Sequence, residues 1–348
     1  MDRTLARARY AAAQGARVAW YMGHYLLARR LSGPFNRPGE PRFEPRAAPG
    51  DPGAIRAAFL NLFARDRANI EAGLYPAPSD VGVVEALAAL RDSARFFADL
   101  PNVDRRRLER AGAEVRATND RARYPSYYLQ NFHYQTGGWL TSESAALYDT
   151  QVEVLFGGAA DAMRRIALGA LARALKGRDQ RRVRLIDVGC GNGRFLAQTL
   201  AAFPKLNVVG LDLSPAYVAA ARARLAPWPQ ADVVAGQAEN VPADEAAFDA
   251  AVSVFLFHEL PPRVRREVAR ELARVVKPGG ALVIADSLQS GDTPDLDRML
   301  EYFPVGFHEP YYQSYLDEDL VALFADAGFA HVETELAFLT KVLRFTRR

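Results

Sequence analysis

Apolar residues along this chain follow two rhythms, and the change between them comes near residue 180. Before it the spacing is helical. Ile55, Phe59, Leu62 and Phe63 recur at steps of three and four, as do Val83, Val84, Leu87 and Leu90, which gathers them on one helix face. These patterns predict helices over 54–73 and 80–99, parted by Pro76 and Pro78, and a third over 101–118. The Ala- and Arg-rich stretch 2–32 predicts another. Residues 33–53 hold Gly33-Pro34 and Asp51-Pro52-Gly53 and read as a linker. Residues 1–123 therefore read as an α-helical region without strand signals.

From residue 181 short apolar runs alternate with helical patterns. Strands are predicted over 183–188, 207–212, 231–235, 248–255 and 281–286, and helices over 194–203, 214–225, 262–276 and 316–327. Lys277-Pro278-Gly279-Gly280 reads as a turn into the fifth strand. Strands near 330–337 and 339–346 lie too close for a crossover helix and predict an antiparallel hairpin. The alternation implies an α/β fold: a doubly wound, mostly parallel sheet of seven strands over 179–348.

Between these regions, Tyr124 to Gly158 follows neither rhythm. Aromatics, amides and hydroxyls interleave, as they do in binding loops. Thr141 is placed to cap a helix over 143–156, and a helix over 159–176 ends at Gly177.

Composition changes this picture little. Hydrophobic residues make up 49% and charged residues 24%, the balance of a globular protein, and the net charge is only +3. The charge is uneven: residues 1–123 hold 21 Arg or Lys against 14 Asp or Glu. In 2–32, Arg3, Arg7, Arg17, Arg29 and Arg30 flank an aromatic centre. Such a helix lies on an anionic membrane or packs on its own protein. The one cysteine, Cys190, excludes an intrachain disulfide and a cysteine-based metal site, and predicts a reducing cytoplasmic setting. No apolar run is long enough to span a bilayer.

The chemistry concentrates after residue 186. Asp187-Val188-Gly189-Cys190-Gly191-Asn192-Gly193 follows the first strand and opens a helix, where glycines let backbone N–H groups approach a ligand. Dinucleotide sites space their glycines G-x-G-x-x-G; here the spacing is G-x-G-x-G, with Arg194 next. Asp187, just before the glycines, suits a cationic ligand end such as the ammonium of methionine. Asp212, closing the second strand, is placed to accept both ribose hydroxyls of an adenosine, because Ser214 already serves as the helix cap. Gly236-Gln237-Ala238-Glu239-Asn240, Phe248 to Pro261 and Val276 to Leu282 complete the series.

In order and spacing these five motifs resemble the class I S-adenosylmethionine-dependent methyltransferases, in particular the ubiquinone/menaquinone C-methyltransferase branch. The specific motifs cover about 180–290. The segment Asn131-Phe132-His133-Tyr134-Gln135-Thr136 also resembles an uncharacterised bacterial group of these enzymes. The resemblance implies a Rossmann-like sheet and S-adenosylmethionine as cofactor. It places Gly189, Cys190, Gly191, Asn192 and Gly193 at the methionine and ribose, Asp212 and Leu213 at the ribose, and Gln237 and Ala238 beside adenine. The family commonly has Asp where Gln237 stands; a glutamine still accepts from the adenine amino group. Ser253 and Phe255 fall beside the methyl donor. His258 and Glu259 fall near the reaction centre, where His258 is either a general base or a loop tether.

Similar enzymes cover the cofactor with segments that precede the first strand. This makes 124–148 the expected lid, with Tyr127, Tyr128, His133, Tyr134, Gln135, Thr136 and Trp139 as its candidates. Tyr134 and Thr136 are expected at the cofactor, Tyr128 and Trp139 at the acceptor, and His133 is a further candidate catalytic group. The segment 302–312 follows a strand end and predicts the opposite substrate wall, with Phe303, Phe307, Tyr311 and Tyr312, and with His308 as a catalytic candidate. The expected reaction is in-line methyl transfer to a small or medium apolar or aromatic acceptor. The alternatives are another group transfer from the same cofactor, or a non-catalytic adaptor docked through the basic helix. No metal and no nucleic-acid partner are expected, since the Asn-Pro-Pro-Tyr-type signature is absent at Phe255-Leu256-Phe257-His258.

Overall fold

A computed structural model describes residues 3–35, 39, 41–78, 83–118 and 123–348. The predicted helix residues 80–82, linker residues 36–38 and 40, and the stretch 119–122 lie outside the described residues. Helices α1 (Arg3–Leu31), α2 (Pro52–Glu71), α3 (Val83–Glu109) and the single turn α4 (Val115–Thr118) come first, followed by α5 (Ser142–Leu155) and α6 (Ala160–Ala174). The alternating half runs β1 (Arg184–Val188), α7 (Arg194–Ala202), β2 (Asn207–Asp212), α8 (Pro215–Leu225), β3 (Ala231–Ala235), β4 (Phe248–Val254), α9 (Pro262–Val275) and β5 (Val276–Ser287). It closes with α10 (Pro294–Gly306), α11 (Tyr312–Leu316), α12 (Leu320–Asp326), β6 (Phe329–Ala337) and β7 (Thr340–Arg347).

The seven strands form one sheet in the order β3-β2-β1-β4-β5-β7-β6, parallel except for β7, which runs against both its neighbours. The order reverses between β1 and β4, so a crevice opens outside their carboxyl ends. Successive β1 residues point to opposite faces. Leu185 enters a layer with Met163, Ile166, Leu196 and Val218; Ile186 and Val188 enter another with Val264, Val268, Leu272 and Phe324. Leu62 of α2 belongs to the first layer, so the N-terminal helices extend the core.

Three expectations are corrected. One helix, α3, runs through Pro101 where two were expected; a proline forfeits one hydrogen bond, and the helix packs on α5 and the Phe132–Tyr134 turn. Lys277–Gly280 is a bulge inside β5, bounded by the pairs Phe248–Val276 and Ala250–Ala281. The segment after β5 is helical. Asp295 and Asp297 favour the N-terminus of α10, and Leu296, Leu300 and Phe303 mark its apolar stripe.

Buried ions fasten the N-terminal helices. Arg165 of α6 donates two hydrogen bonds to Asp66 of α2, at 2.9 and 2.7 Å, and the Tyr10 and Tyr75 hydroxyls donate to the same carboxylate. Asp161 gathers Arg17 of α1, Arg164 and Arg194. The helix α1 thus packs on its own protein, with Arg7 paired to Glu71, while Trp20, Leu26, Leu27 and Leu31 remain exposed. No described helix is long and apolar enough to cross a membrane. The outer strand β6 shifts register between His331 and Glu333. Arg173 and Arg344 clasp Glu333, and Arg65 donates to the Leu336 carbonyl.

Candidate active site

A cleft opens at the crevice between the ends of β1 and β4. It holds about 690 Å³ of space, its open mouth included. Its floor is main chain. Gly189 (φ 78°) and Gly191 (φ 56°) lie in the left-handed region, and Gly189 N–H and Cys190 N–H both donate to the Leu211 carbonyl. A Cβ on Gly189 would press to 3.1 Å from Leu256, which closes the turn to side chains.

Asp212 stands at the cleft's centre. Its Oδ2 accepts from Gly191 N–H and its Oδ1 from Ser214 N–H, both at 2.9 Å, while Ser214 caps α8 by accepting from Tyr217 N–H. Burial raises its carboxyl and the N–H donors of Ser214, Gly191 and Leu213 lower it, leaving it at about 6. Asp187 is deeper and does not line the cleft. Both its oxygens are buried without a hydrogen-bond partner. Burial and the nearby Asp212 push it up to about 8. An unpaired buried carboxylate is costly, and a ligand cation would relieve it.

Among the described residues, Gly189, Gly191, Asp212, Leu213, Ala238, Phe255, Glu259, Tyr128 and Trp139 line the cleft as a group; none of the lining residues is Lys or Arg. Phe255, in a left-handed conformation (φ 58°), ends β4 and stacks on Phe156. The other candidates are placed elsewhere. Cys190 is buried against Gly210, and Gly193 (φ 77°) admits Ala221 of α8. Asn192 donates to Ala145 O and accepts from Arg224, which ties the glycine turn to α5 and α8. Ser253 spends its hydroxyl on Val188 O. Gln237 is not among the lining residues, and its backbone bridges to Asn240.

The aromatic segment divides likewise. Tyr127, Tyr128 and Trp139 face the cleft, and Tyr127 OH donates to Glu239 at 2.7 Å. Thr136 instead donates to Asp99 and accepts from Arg106, and Tyr134 packs on His308 behind the wall. His308 lies 2.9 Å from the Gln130 amide, outside the cleft. The expected second wall is absorbed into the core. The hydroxyls of Tyr312 and Ser287 meet at 2.6 Å, Phe303 and Phe307 surround His133, and Tyr311 donates to Tyr127 O. Tyr148 and Tyr217 complete the cleft instead, in edge-to-face contact with each other and with Trp139. Neither stood out in the sequence; Tyr217 carries a faint signal, three residues past the cap that follows Asp212.

Behind Trp139 lies a buried ionisable cluster. His258 Nδ1 is 2.6 Å from Asp286 Oδ1, and Asp286 Oδ2 accepts from Phe257 N–H. Burial alone would lower His258, but Asp286 outweighs it and holds it up at about 9. This favours the imidazolium, a loop tether, over a free base. His133, held with φ at 54°, lies 3.2 Å from Glu309, and burial pushes it down to about 3. Burial drives Glu309 well above the carboxylate range. Among the described residues no group of three or more potential ligands is arranged for a metal.

A family described as a methyltransferase domain matches residues 185–280. The chain is 31% identical to the ubiquinone/menaquinone biosynthesis C-methyltransferase of Methylobacterium nodulans, over 55% of this chain and 82% of that protein. It is 31% identical to an uncharacterized methyltransferase of Synechocystis, over 44% and 69%. It is 32% identical to an O-methyltransferase of Penicillium expansum, over 43% of this chain and 52% of that protein.

Proposed function

The chain belongs to the class I S-adenosylmethionine-dependent methyltransferases, and from that premise we propose that it methylates a small or medium acceptor of apolar or aromatic character. The residues present fit the cofactor: an orphaned buried carboxylate at Asp187, a glycine cradle open only to backbone, and Asp212 beside it. When bound, S-adenosylmethionine supplies a methyl group on a sulfonium that leaves as a neutral thioether. Asp212 would hold the ribose hydroxyls, Asp187, buried behind the glycine turn, would offset the charge of the ammonium end, and Ala238 would flank the adenine. Catalysis is then chiefly alignment, with nucleophile, methyl carbon and sulfur held in line.

The observation that carries the acceptor class is the aromatic lining of the cleft, where Tyr127, Tyr128, Trp139 and Tyr148 stand together. The quinone-pathway relative is compatible with a ring-bearing acceptor. Asp212→Ala should reduce S-adenosylmethionine affinity at least tenfold by calorimetry while the fold persists; unchanged affinity would sink the ribose contact. Phenols, quinols and aliphatic carboxylates, each incubated with enzyme and cofactor, test the acceptor. Release of S-adenosylhomocysteine with the ring-bearing members is expected, and release with the carboxylates alone would overturn the class.

A further inference from the structure

The cleft is lined by two carboxylates, Asp212 and Glu259, and among the described lining residues by no Lys or Arg. Asp212 is committed to two backbone N–H donors. Glu259 is not so committed. It sits in the short turn Phe257–Glu259, and its closest charged partner, His258 Nε2, is 3.9 Å away and belongs to an imidazole already fixed to Asp286. The buried Trp139 Nε1–H makes no hydrogen bond of good geometry, yet it points closely enough at the Glu259 carboxyl to favour its ionised form. Tyr148 and Tyr217 close the same corner with ring faces and edges, an environment that favours a cation.

We infer that Glu259 is both the counter-charge of the cofactor's sulfonium and the proton acceptor of the transfer, ionised while that positive charge is present and protonated as it is lost. The inference rests on the methyltransferase reading. Glu259 receives the acceptor's proton on a carboxylate oxygen as the acceptor–carbon bond forms and the carbon–sulfur bond breaks with its electron pair left on sulfur. The balance needs no further reactant. A carboxylate in a dry cleft binds a proton more tightly once its neighbouring cation is gone. The base therefore strengthens at the moment a proton must be taken. The ionisable groups around Glu259 leave it free to respond. Burial raises its carboxyl, His258 and the Trp139 N–H lower it, and Asp286 and Asp212 raise it, giving about 8. Glu309 and the phenols of Tyr128, Tyr148 and Tyr217 also face it, and all four are driven toward their neutral forms by burial.

Titration calorimetry at neutral pH, in buffers of different ionisation enthalpy, tests this with two ligands that differ at sulfur. S-adenosylmethionine should release about one proton more than S-adenosylhomocysteine. Asp187 and Asp212 meet the same ammonium and ribose in both ligands, so their contributions cancel in the difference. Affinity for S-adenosylmethionine should rise with pH until about 8 and then level, while the preference over S-adenosylhomocysteine rises with it. Glu259→Gln should abolish the difference in protons and leave S-adenosylhomocysteine affinity within about threefold. Equal proton release by both ligands to the wild-type protein overturns the inference, and so does a difference that survives in Glu259→Gln. If neither ligand binds, the methyltransferase reading fails. If both bind with equal proton counts, that reading stands and only the role of Glu259 falls. The wild-type comparison decides the matter even if the variant does not fold.

Discussion

One wall of the cleft hangs from strand ends; the other belongs to helices pinned to one another by ions. Behind Gly189 and Phe255, β1 and β4 bury Leu185, Ile186, Val188 and Val252 in hydrocarbon, at 1% exposure or less. The rings of 127–148 lie beside α5, in a helical layer pinned by Asp66 with Arg165 between α2 and α6, by Asp161 with three arginines, and by Asp149 with Arg224 between α5 and α8. Apolar burial is indifferent to pH; ion pairs are not. The sheet wall also keeps one buried carboxylate, Asp187, without a hydrogen-bond partner. The two walls should therefore fail under different conditions.

The largest expected effect is on the ionic side. Asp66→Ala leaves Arg165 buried without its carboxylate and the Tyr10 and Tyr75 phenols with only their longer contacts to backbone carbonyls, and should cost about 3–5 kcal/mol in urea unfolding. A loss below about 1 kcal/mol would show that the pair is not the anchor.

Acid and base should then separate the walls. The arginines around Asp161 and Asp149 overcome burial and hold both carboxyls below the usual range. Their stabilisation is present above the unfolded value near 3.8 and is lost as pH falls through the lowered one. Asp187, at about 8, and Asp212, at about 6, are shifted the other way. They are neutral in both states in acid, and the folded state loses stability as pH rises from about 4 to about 8. Thermal midpoints of the ligand-free protein should fall toward both ends. Saturating S-adenosylhomocysteine should flatten only the upper fall, and flattening at both ends would break the comparison.

The smallest effect lies in the glycine turn. Gly193→Ala places a side chain at φ 77° and 3.1 Å from the Ala221 Cβ, and should cost about 1–2 kcal/mol. Gly177→Ala, at φ 79° with nothing within 4 Å, carries the backbone strain alone. The difference between the two melts measures the closeness of α7 and α8.

The same contrast explains what could be read in the chain. Strand ends announce themselves locally, so Asp212 follows from the run Asn207–Leu211 and a cap two residues on. The strands over 207–212 and 231–235 fall where the apolar runs predict them. Long-range anchors leave no local trace: Asp66 and Arg165 are 99 residues apart. Aromatic content misleads for a related reason. Tyr312 looks like a wall residue until the Ser287 hydroxyl satisfies its phenol and lets it sink into the core. The helix α10 was hidden by Pro304 and by rings that blur its period, although Leu296, Leu300 and Phe303 keep the spacing. Tyr148 lies on a helix whose facing direction only the packed structure fixes.

The outer strand β6 has a consequence for molecules in a crowd. A bare strand edge offers its unpaired amides and carbonyls to any other chain, and sheets can polymerise through it. Here the register shift at His331 bends the edge, charged side chains stud it, and Arg65 occupies the Leu336 carbonyl. The hairpin that completes the sheet is thereby also its stopper, keeping concentrated protein from growing strand upon strand.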